Sequence, residues 1–362
     1  MSRQAFLVLT DGSVHQGYSF GAEVDSFGEV VFCTSMIGYQ EMLTDPSYAG
    51  QILVPTFPLI GNYGINEYDL ESEQIQVRGF VVREECPVPS HHLSRKTVHQ
   101  YLAENGIPGI QGVDTRAITR RLRSAGVMMG MISSNKTPQE ALAELRKKPG
   151  YDSIDFVRQV TTQAPYQWLP EGSESVYHIV VLDCGLKYNI LRILNRLGCA
   201  VTVVPCTMPA EEILNLKPDG ILLSPGPGDP ELLDYISATV KQLISKKPIM
   251  GICLGIQLIA RASGGRTFKL KFGHRGGNHP VRDLATGRIY ITAQNHGYAI
   301  DPDTLENGLE VTHINLNDNT IEGLRHKELP VFAVQYHSEA SPGPLDSTYL
   351  FDRFLKMIGE SR

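Results

Sequence analysis

The feature that most constrains the fold is an alternation of apolar and helical segments in the second half of the chain. Four short apolar runs are predicted to be buried strands: 178–183, 200–205, 220–224 and 248–252. Helical patterns fall between them at 187–197, 209–216 and 230–245. Continuous apolar strands that alternate with helices are typical of a parallel sheet covered on both faces. The second half is therefore predicted to be an α/β domain with a mostly parallel central sheet.

The first half has a different pattern. Strand-like runs at Ala5–Leu9, Val14–Tyr18 and Glu29–Thr34 are separated by turn sequences, which predicts a β-rich start. Helices should follow at 114–123, with Asp114 as the N-cap, and at 137–148, with Thr137 as the N-cap. We expect a β-rich α/β domain here.

The length of 362 residues fits two domains, because domains average roughly 150 residues. Residues 151–175 contain prolines, a glycine and many polar residues, and they lose the periodic pattern. The predicted division is a first domain at 1–150, a linker at 151–175 and a second domain at 176–362.

Composition excludes several classes of function. The net charge of −6 argues against a nucleic-acid-binding protein, which needs a basic surface. No apolar run reaches the roughly 18 residues needed to span a bilayer, and the N-terminus lacks a signal-peptide core. Six cysteines occur without a CxxC pair, which indicates reduced thiols. The expected location is the cytoplasm, without membrane or nucleic-acid partners.

The strongest chemical signal is the sequence Gly-Ile-Cys-Leu-Gly at residues 251–255. A buried strand ends at Cys253 and a helix-compatible run follows, as in a nucleophile elbow with cysteine in place of serine. The flanking glycines would permit a strained turn. The helix N-terminus would stabilise a thiolate, and the Leu254 N–H would point where an oxyanion forms. The alternative is a small buried cysteine in a packed strand.

A thiolate nucleophile needs a base, and the base needs a group that orients it. His337 follows the predicted strand 331–336, and Glu339 lies two residues later. In extended backbone, residues two apart point the same way, so Glu339 could approach the His337 ring. Without Cys253, His337 would be interpreted as a surface histidine at a strand end.

Two further segments offer backbone and amide groups. The loop 224–230 (SPGPGDP) follows a strand and could expose backbone N–H groups to an oxyanion or carboxylate. Residues 292–298 contain Asn295 and Gly297, which offer amide donors and acceptors. His274 and His279 suggest a metal site, but no cysteine or carboxylate completes a zinc-like set nearby in the sequence, so no metal is expected.

These motifs resemble a known family. The GICLG, QYHSE and SPGPGDP sequences are similar to those of class I glutamine amidotransferases, over residues 176–362. Residues 28–64, 112–123, 271–281 and 291–299 resemble the small chain of glutamine-hydrolysing carbamoyl-phosphate synthase. The resemblance thus spans essentially the whole chain, and its long stretches are more specific than any short motif.

The resemblance implies a set of site residues. It makes Cys253 the nucleophile, His337 the general acid/base and Glu339 the carboxylate that orients it. The implied glutamine-binding residues are Ser35, Gly226, Gly228, Leu254, Gln257, Asn295, Gly297 and Tyr298. Because Ser35 lies in the first domain, the substrate pocket would lie at the domain interface.

The resemblance also implies the reaction and the partner. The small chain hydrolyses L-glutamine, and ammonia passes through a tunnel to the large chain. That chain makes carbamoyl phosphate from bicarbonate and two ATP, for arginine or pyrimidine biosynthesis. This chain should therefore hold no cofactor, with ATP and metal ions confined to the large chain. A heterodimer, or a higher oligomer of heterodimers, is expected.

Two residues depart from the family pattern. Pro225 replaces a common asparagine, and Ser338 replaces the proline between His337 and Glu339, which leaves the backbone less restricted there. Two alternative functions remain at this point. One is another class I amidotransferase, against which the first 150 residues argue. The other is a scaffold with a dead glutaminase, against which the complete Cys–His–Glu set argues.

Overall fold

A computed structural model describes residues 3–169 and 175–361 of the chain. The chain divides into two compact units, Met1–Ile154 and Asp155–Arg362. Residues 170–174, which belong to the expected linker, lie outside the described residues.

The first unit is built mainly from strands. Its strands are β1 (Gln4–Leu9), β2 (Val14–Gly21), β3 (Ser26–Cys33), β4 (Gln51–Pro55), β5 (Leu59–Ile60), β6 (Gly79–Val81), β7 (Glu84–Glu85), β8 (Pro108–Gln111) and β9 (Met128–Ser133). Its helices are α1 (Tyr39–Thr44), α2 (Val98–Glu104), α3 (Thr115–Ala125) and α4 (Pro138–Leu145).

Seven of these strands close into a barrel in the order β1-β2-β8-β6-β4-β3-β9. Fully buried apolar side chains such as Val31, Leu53 and Phe80 form a core together with residues of α2. The β-rich start is therefore confirmed. The predicted caps are also confirmed, because Asp114 accepts a hydrogen bond from the Ala117 N–H and Thr137 forms a capping box at the start of α4.

The second unit alternates strands and helices. Its strands are β10 (Tyr166–Trp168), β11 (Tyr177–Asp183), β12 (Cys199–Pro205), β13 (Gly220–Leu223), β14 (Ile249–Ile252), β15 (Thr267–Asp283), β16 (Ile289–Ile300), β17 (Leu309–Asn315), β18 (Ile321–His326) and β19 (Val331–Val334). Its helices are α5 (Val157–Val160), α6 (Tyr188–Arg196), α7 (Ala210–Asn215), α8 (Asp234–Leu243), α9 (Leu254–Ala262) and α10 (Tyr349–Glu360).

The strands of this unit form one sheet in the order β10-β12-β11-β13-β14-β19-β18-β17-β15-β16. The central strands β12, β11, β13, β14 and β19 are parallel, as predicted, and antiparallel strands extend the sheet at both edges. This arrangement brings the carboxyl ends of β13, β14 and β19 together at one edge of the sheet.

Both faces of the central sheet are covered. Along β11, Ile179 and Val181 pack in one apolar layer with α6 and α10, while Val180 and Leu182 pack in the other with α7, α8 and α9. Successive residues of a strand point to opposite faces, so a strand buried on both sides has a continuous apolar sequence. The sequence-based prediction of a parallel, doubly covered sheet followed from this pattern.

The expected linker 151–175 contains regular structure. A 3-10 helix covers Tyr151–Ser153, α5 follows, and β10 pairs antiparallel with β12. Val157 of α5 is fully buried in the core of the second unit. A strand of three residues is too short to show a periodic pattern, so the sequence alone did not indicate it.

The helices of the second unit are shorter than predicted. The stretch 230–245 is a 3-10 helix, Pro230–Leu232, followed by α8 from Asp234. The last helix begins at Tyr349, three residues after the predicted start near Asp346. Among the described residues, no helix has the length and apolar character needed to cross a bilayer.

Candidate active site

Cys253 occupies a strained turn between β14 and α9. Its backbone has φ 53° and ψ −104°, in the region that side-chain-bearing residues rarely adopt, and its N–H donates to Val334 O at 2.9 Å. The side chain is 1% exposed and stands at the N-terminus of α9, where the helix dipole stabilises a thiolate. The turn is thus a nucleophile elbow.

The flanking glycines have a different role from the one expected. Neither Gly251 nor Gly255 has a positive φ, so the strain lies in Cys253 itself. A Cβ on Gly251 would lie 2.8 Å from the Gly255 carbonyl carbon, and one on Gly255 would lie 2.5 Å from Leu223 O. The glycines therefore let α9 pack closely against β13 and β14.

We predict that Gly255→Ala lowers the thermal unfolding midpoint of the second unit by about 2–12 °C, because overpacking costs about 1–3 kcal/mol. Gly150→Ala is the control, since that residue has φ −67° and a Cβ added there would meet no atom within 4 Å. Calorimetry measures both. Equal midpoints for the two variants would contradict the close-packing explanation.

His337 and Glu339 form a direct contact. His337 Nδ1 lies 2.6 Å from Glu339 Oε1, and both side chains are buried. The contact does not arise in extended backbone as predicted, because β19 ends at Val334 and residues 338 and 339 lie in a turn. The backbone N–H of His337 donates to Ala293 O at 2.9 Å, and this hydrogen bond holds the turn beside β16. Ser338 stands between the two residues in this turn.

The electrostatics favour a charged His337–Glu339 pair next to Cys253. Burial lowers the pKa of His337, but the charges of Glu339 and Cys253 outweigh it and raise the pKa to about 10. Burial raises the pKa of Glu339, but Lys187 and His337 outweigh it and lower the pKa to about 2. Glu339 therefore stays ionised at neutral pH and holds His337 protonated beside Cys253.

Sequence reasoning missed Lys187. Its side chain is 2% exposed, and its Nζ lies 3.2 Å from Glu339 Oε1 and also donates to Ala340 O. Asn189, in the first turn of α6, donates to Glu339 O. The start of α6 thus holds the turn that carries the carboxylate. A lysine at the start of a helix is usually exposed to solvent, and no local sequence pattern identified Lys187 as buried.

The loop 224–230 lies against the nucleophile elbow. A Cβ on Gly226 would lie 2.2 Å from Cys184 O and 2.6 Å from the Leu254 side chain, so only glycine fits there without displacement. Gly228 has φ 88°. The Leu254 N–H belongs to the first residue of α9 and has no partner within the helix. The structure therefore brings Gly226 and Leu254 together beside Cys253.

The other predicted glutamine-binding residues lie on α9, on β16 and in the first unit. Gln257 lies four residues after Cys253 on α9 and donates to Tyr298 O at 2.9 Å. Asn295, Gly297 and Tyr298 lie on β16, and Asn295 O is 3.7 Å from the Cys253 Sγ. Of these four residues, Asn295 contacts the thiol directly, and the Gln257–Tyr298 hydrogen bond ties α9 to β16. Ser35 lies in the first unit, in the partly buried segment between β3 and α1.

The sequence-based reason for excluding a metal site does not hold. Glu322, distant in sequence, brings a buried carboxylate to the histidine-rich strand, and His274, His296 and Glu322 place three ligand atoms within 4.8 Å of one another. His279 does not belong to this cluster. The antiparallel pairing of β15 with β16 and of β17 with β18 creates the cluster, and no local pattern in the sequence indicates it.

The two histidines of this cluster have hydrogen-bond partners outside it. His274 Nε2 lies 2.8 Å from Asp318 Oδ2, and His296 Nδ1 lies 2.7 Å from Tyr298 O. Burial lowers the pKa of His274, but Asp318 and Glu322 outweigh it and raise the pKa to about 9. The imidazolium thus supplies the positive charge that the carboxylates require. That this chain uses no metal stays a prediction.

Comparison with known families agrees with this geometry. Residues 180–357 match the family described as glutamine amidotransferase class-I, and residues 7–132 match the carbamoyl-phosphate synthase small chain, CPSase domain. The first match covers the Cys–His–Glu site, and the second decides against the other class I amidotransferases.

Relatives match over the full length. The chain is 52% identical over 371 residues to the carbamoyl phosphate synthase small chain of Syntrophotalea carbinolica, covering 99% of each chain. It is 53% identical over 359 residues to that of Staphylococcus epidermidis, covering 99% of this chain and 97% of the relative. The chain therefore belongs to the family of carbamoyl phosphate synthase small chains.

Proposed function

We propose that this chain hydrolyses L-glutamine to glutamate and ammonia and supplies the ammonia to a carbamoyl phosphate synthase large chain. The observation that carries the proposal is the position of Cys253 at a helix N-terminus, in electrostatic contact with a buried His337–Glu339 pair. In this proposal Cys253 is the nucleophile, His337 the acid/base and Glu339 the group that orients it.

The reaction proceeds in two steps. The Cys253 thiolate attacks the side-chain amide carbon of glutamine, and His337 gives its proton to the departing nitrogen, which leaves as ammonia. The product is a glutamyl thioester on Cys253. His337, now neutral, removes a proton from water, and the resulting hydroxide attacks the thioester and displaces the Cys253 thiolate. The new carboxylic acid then loses its proton to solvent and leaves as glutamate. Glu339 compensates the imidazolium charge at the start and end of this cycle.

Backbone groups stabilise the oxyanion that forms in each step. The Leu254 N–H stands at the N-terminus of α9, and the Gly226–Gly228 loop packs against it. One such donor is worth about 3 kcal/mol in other hydrolases. In this proposal Gln257, Asn295, Gly297 and Tyr298 bind the substrate, and Ser35 stays a predicted binding residue.

The synthesis of carbamoyl phosphate requires a partner. The sequence contains no Walker A or kinase-type glycine loop, which supports placing ATP, metal ions and the phosphoryl-transfer chemistry on the large chain. The product serves arginine or pyrimidine biosynthesis. The free cysteines support a cytoplasmic location, since an oxidising compartment favours disulfides.

The test is a glutaminase assay on the purified chain, with and without the large chain, ATP and bicarbonate. We expect slow glutamate release from the chain alone and a rate at least about fivefold higher in the complete complex, because coupling free energies between distant sites are about 1–3 kcal/mol. The coupling prevents waste of glutamine.

The controls separate the alternatives. A dead scaffold would make no glutamate under either condition, which would overturn the proposed function. Equal glutamate release in both conditions would support the glutaminase activity but contradict its coupling to the large chain.

A further inference from the structure

Gln335 is a buried amide directed at the reacting sulfur. It follows β19 and precedes His337 by two residues, and its side chain is fully buried. Its Nε2 lies 3.7 Å from the Cys253 Sγ, within hydrogen-bond distance for sulfur. Because β19 pairs in parallel with β14, residues that follow the two strands meet at the same edge of the sheet. This contact is separate from the contact between His337 and Cys253 in the proposed glutaminase site.

The orientation of the Gln335 amide is fixed by its neighbours. Gln257 Nε2 lies 2.9 Å from Tyr298 O, and a backbone carbonyl can only accept, so this Gln257 atom must be the nitrogen. The same nitrogen lies 3.0 Å from the Gln335 amide, which must therefore present its oxygen. The nitrogen of Gln335 is then the atom that faces the sulfur.

Two groups on the sulfur favour opposite protonation states. Asn295 O, 3.7 Å from Sγ, can only accept a hydrogen bond and therefore favours the thiol. The Gln335 N–H can only donate in this orientation and therefore favours the thiolate. A donor held in place inside a buried site stabilises charge without reorganisation during the reaction.

We propose that Gln335 is a further catalytic group, whose side-chain N–H donates to the Cys253 thiolate and stabilises it against the carbonyl of Asn295. The proposal rests on the proposed role of Cys253 as the nucleophile. It also gives Gln257 a second role, because Gln257 holds the Gln335 amide in the orientation that donates. A substrate-binding residue is thereby linked to the charge state of the nucleophile.

The test compares Gln335→Glu and Gln335→Met in the full chain. The glutamate side chain keeps the oxygen that accepts from Gln257 but loses the donor and adds a negative charge. The methionine side chain has a similar size and loses both polar groups. The readout is the pH dependence of iodoacetamide alkylation at Cys253, followed by peptide mass spectrometry because the chain has other free cysteines.

We expect the alkylation midpoint to move to higher pH by about one unit in Gln335→Met and by about two units in Gln335→Glu. A purely structural role would give the reverse order, because only Gln335→Met releases Gln257. A midpoint unchanged in both variants, or raised in Gln335→Met alone, overturns the proposal.

Kinetics provide a second readout. Gln335→Glu should lower kcat for glutamine at neutral pH by about tenfold or more, with partial recovery at higher pH and little change in KM. Gln51→Met, which removes another buried amide that bonds Glu29 in the first unit, should leave the alkylation midpoint unchanged. Alkylation needs no glutamine turnover, so it tests Gln335 even if the glutaminase assay fails. A change in KM alone, without a shift of the alkylation midpoint, also overturns the proposal.

Discussion

Replacement of Cys253 with serine is expected to abolish glutamine-dependent synthesis of carbamoyl phosphate, by at least about a thousandfold, while ammonia-dependent synthesis by the complex with the large chain continues. Serine is nearly isosteric with cysteine, so the turn before α9 should persist. Its hydroxyl ionises far less readily than a thiol, and the imidazolium of His337 is placed to pair with a thiolate. The measurement is carbamoyl phosphate formation from glutamine and, separately, from ammonium chloride.

Cys199→Ala is the matched control for this experiment. Cys199 is fully buried in the same unit, and burial raises the pKa of its thiol to about 11, so it remains an unreactive thiol at neutral pH. Both activities should persist in this variant. If Cys253→Ser reduced both activities together, Cys253 would be structural. If it reduced neither, the nucleophile would lie elsewhere.

Local patterns predicted the central part of the second unit well. The strand β11 is buried on both faces, and this produced the continuous apolar run from which the parallel sheet was inferred. The pattern failed where elements are short or lie at an edge. β10 has only three residues, and its pairing with β12 depends on a contact that no local sequence period reveals.

The candidate site was predictable only for residues that are close together in the sequence. Cys253 lies at a strand–helix junction, and His337 and Glu339 are close in sequence, so motif and spacing identified them. Gln335 and Lys187 act through contacts that depend on the packing of β19 beside β14 and on the approach of α6 to residue 339. Gln335 belongs to the QYHSE motif, but neither that motif nor any sequence period shows what Gln335 or Lys187 contacts.

Strain at the elbow illustrates the same limit. Flanking glycines suggested that they would adopt the unusual backbone conformation, but Cys253 adopts it, with φ 53°. Glycines are needed at these positions because α9 lies so close to the sheet that a Cβ would clash, and this closeness is a property of tertiary packing. Sequence indicated that these glycines mattered, and only the structure gave the reason.

Lys187→Met is expected to lower the free energy of unfolding of the second unit by about 3 kcal/mol at neutral pH. Removal of one partner of a buried ion pair typically costs about 3–5 kcal/mol, because the other charge remains buried. The low end applies here, since His337 still pairs with Glu339. The thermal midpoint should fall by about 6–12 °C, as measured by calorimetry.

The loss of unfolding free energy in Lys187→Met should depend on pH, and this dependence identifies its cause. Lys187 and His337 lower the pKa of Glu339 to about 2 in the folded protein, so its contribution to stability is present above its usual value near 4.5 and is lost as the pH falls toward 2. Without Lys187 the carboxylate protonates at higher pH, and its protonation removes the buried charge that Lys187 no longer compensates. The difference in free energy of unfolding between the variant and the original protein should therefore become smaller below about pH 4.

Lys148→Met is the control, because Lys148 forms a partly exposed pair with Glu144 at 3.2 Å. Solvent screens such pairs, so this variant should keep nearly the stability of the original protein at every pH. A gap for Lys187→Met that stays constant between pH 7 and pH 3 would mean that Lys187 stabilises the unit through packing and its bond to Ala340 O rather than through the charge of Glu339.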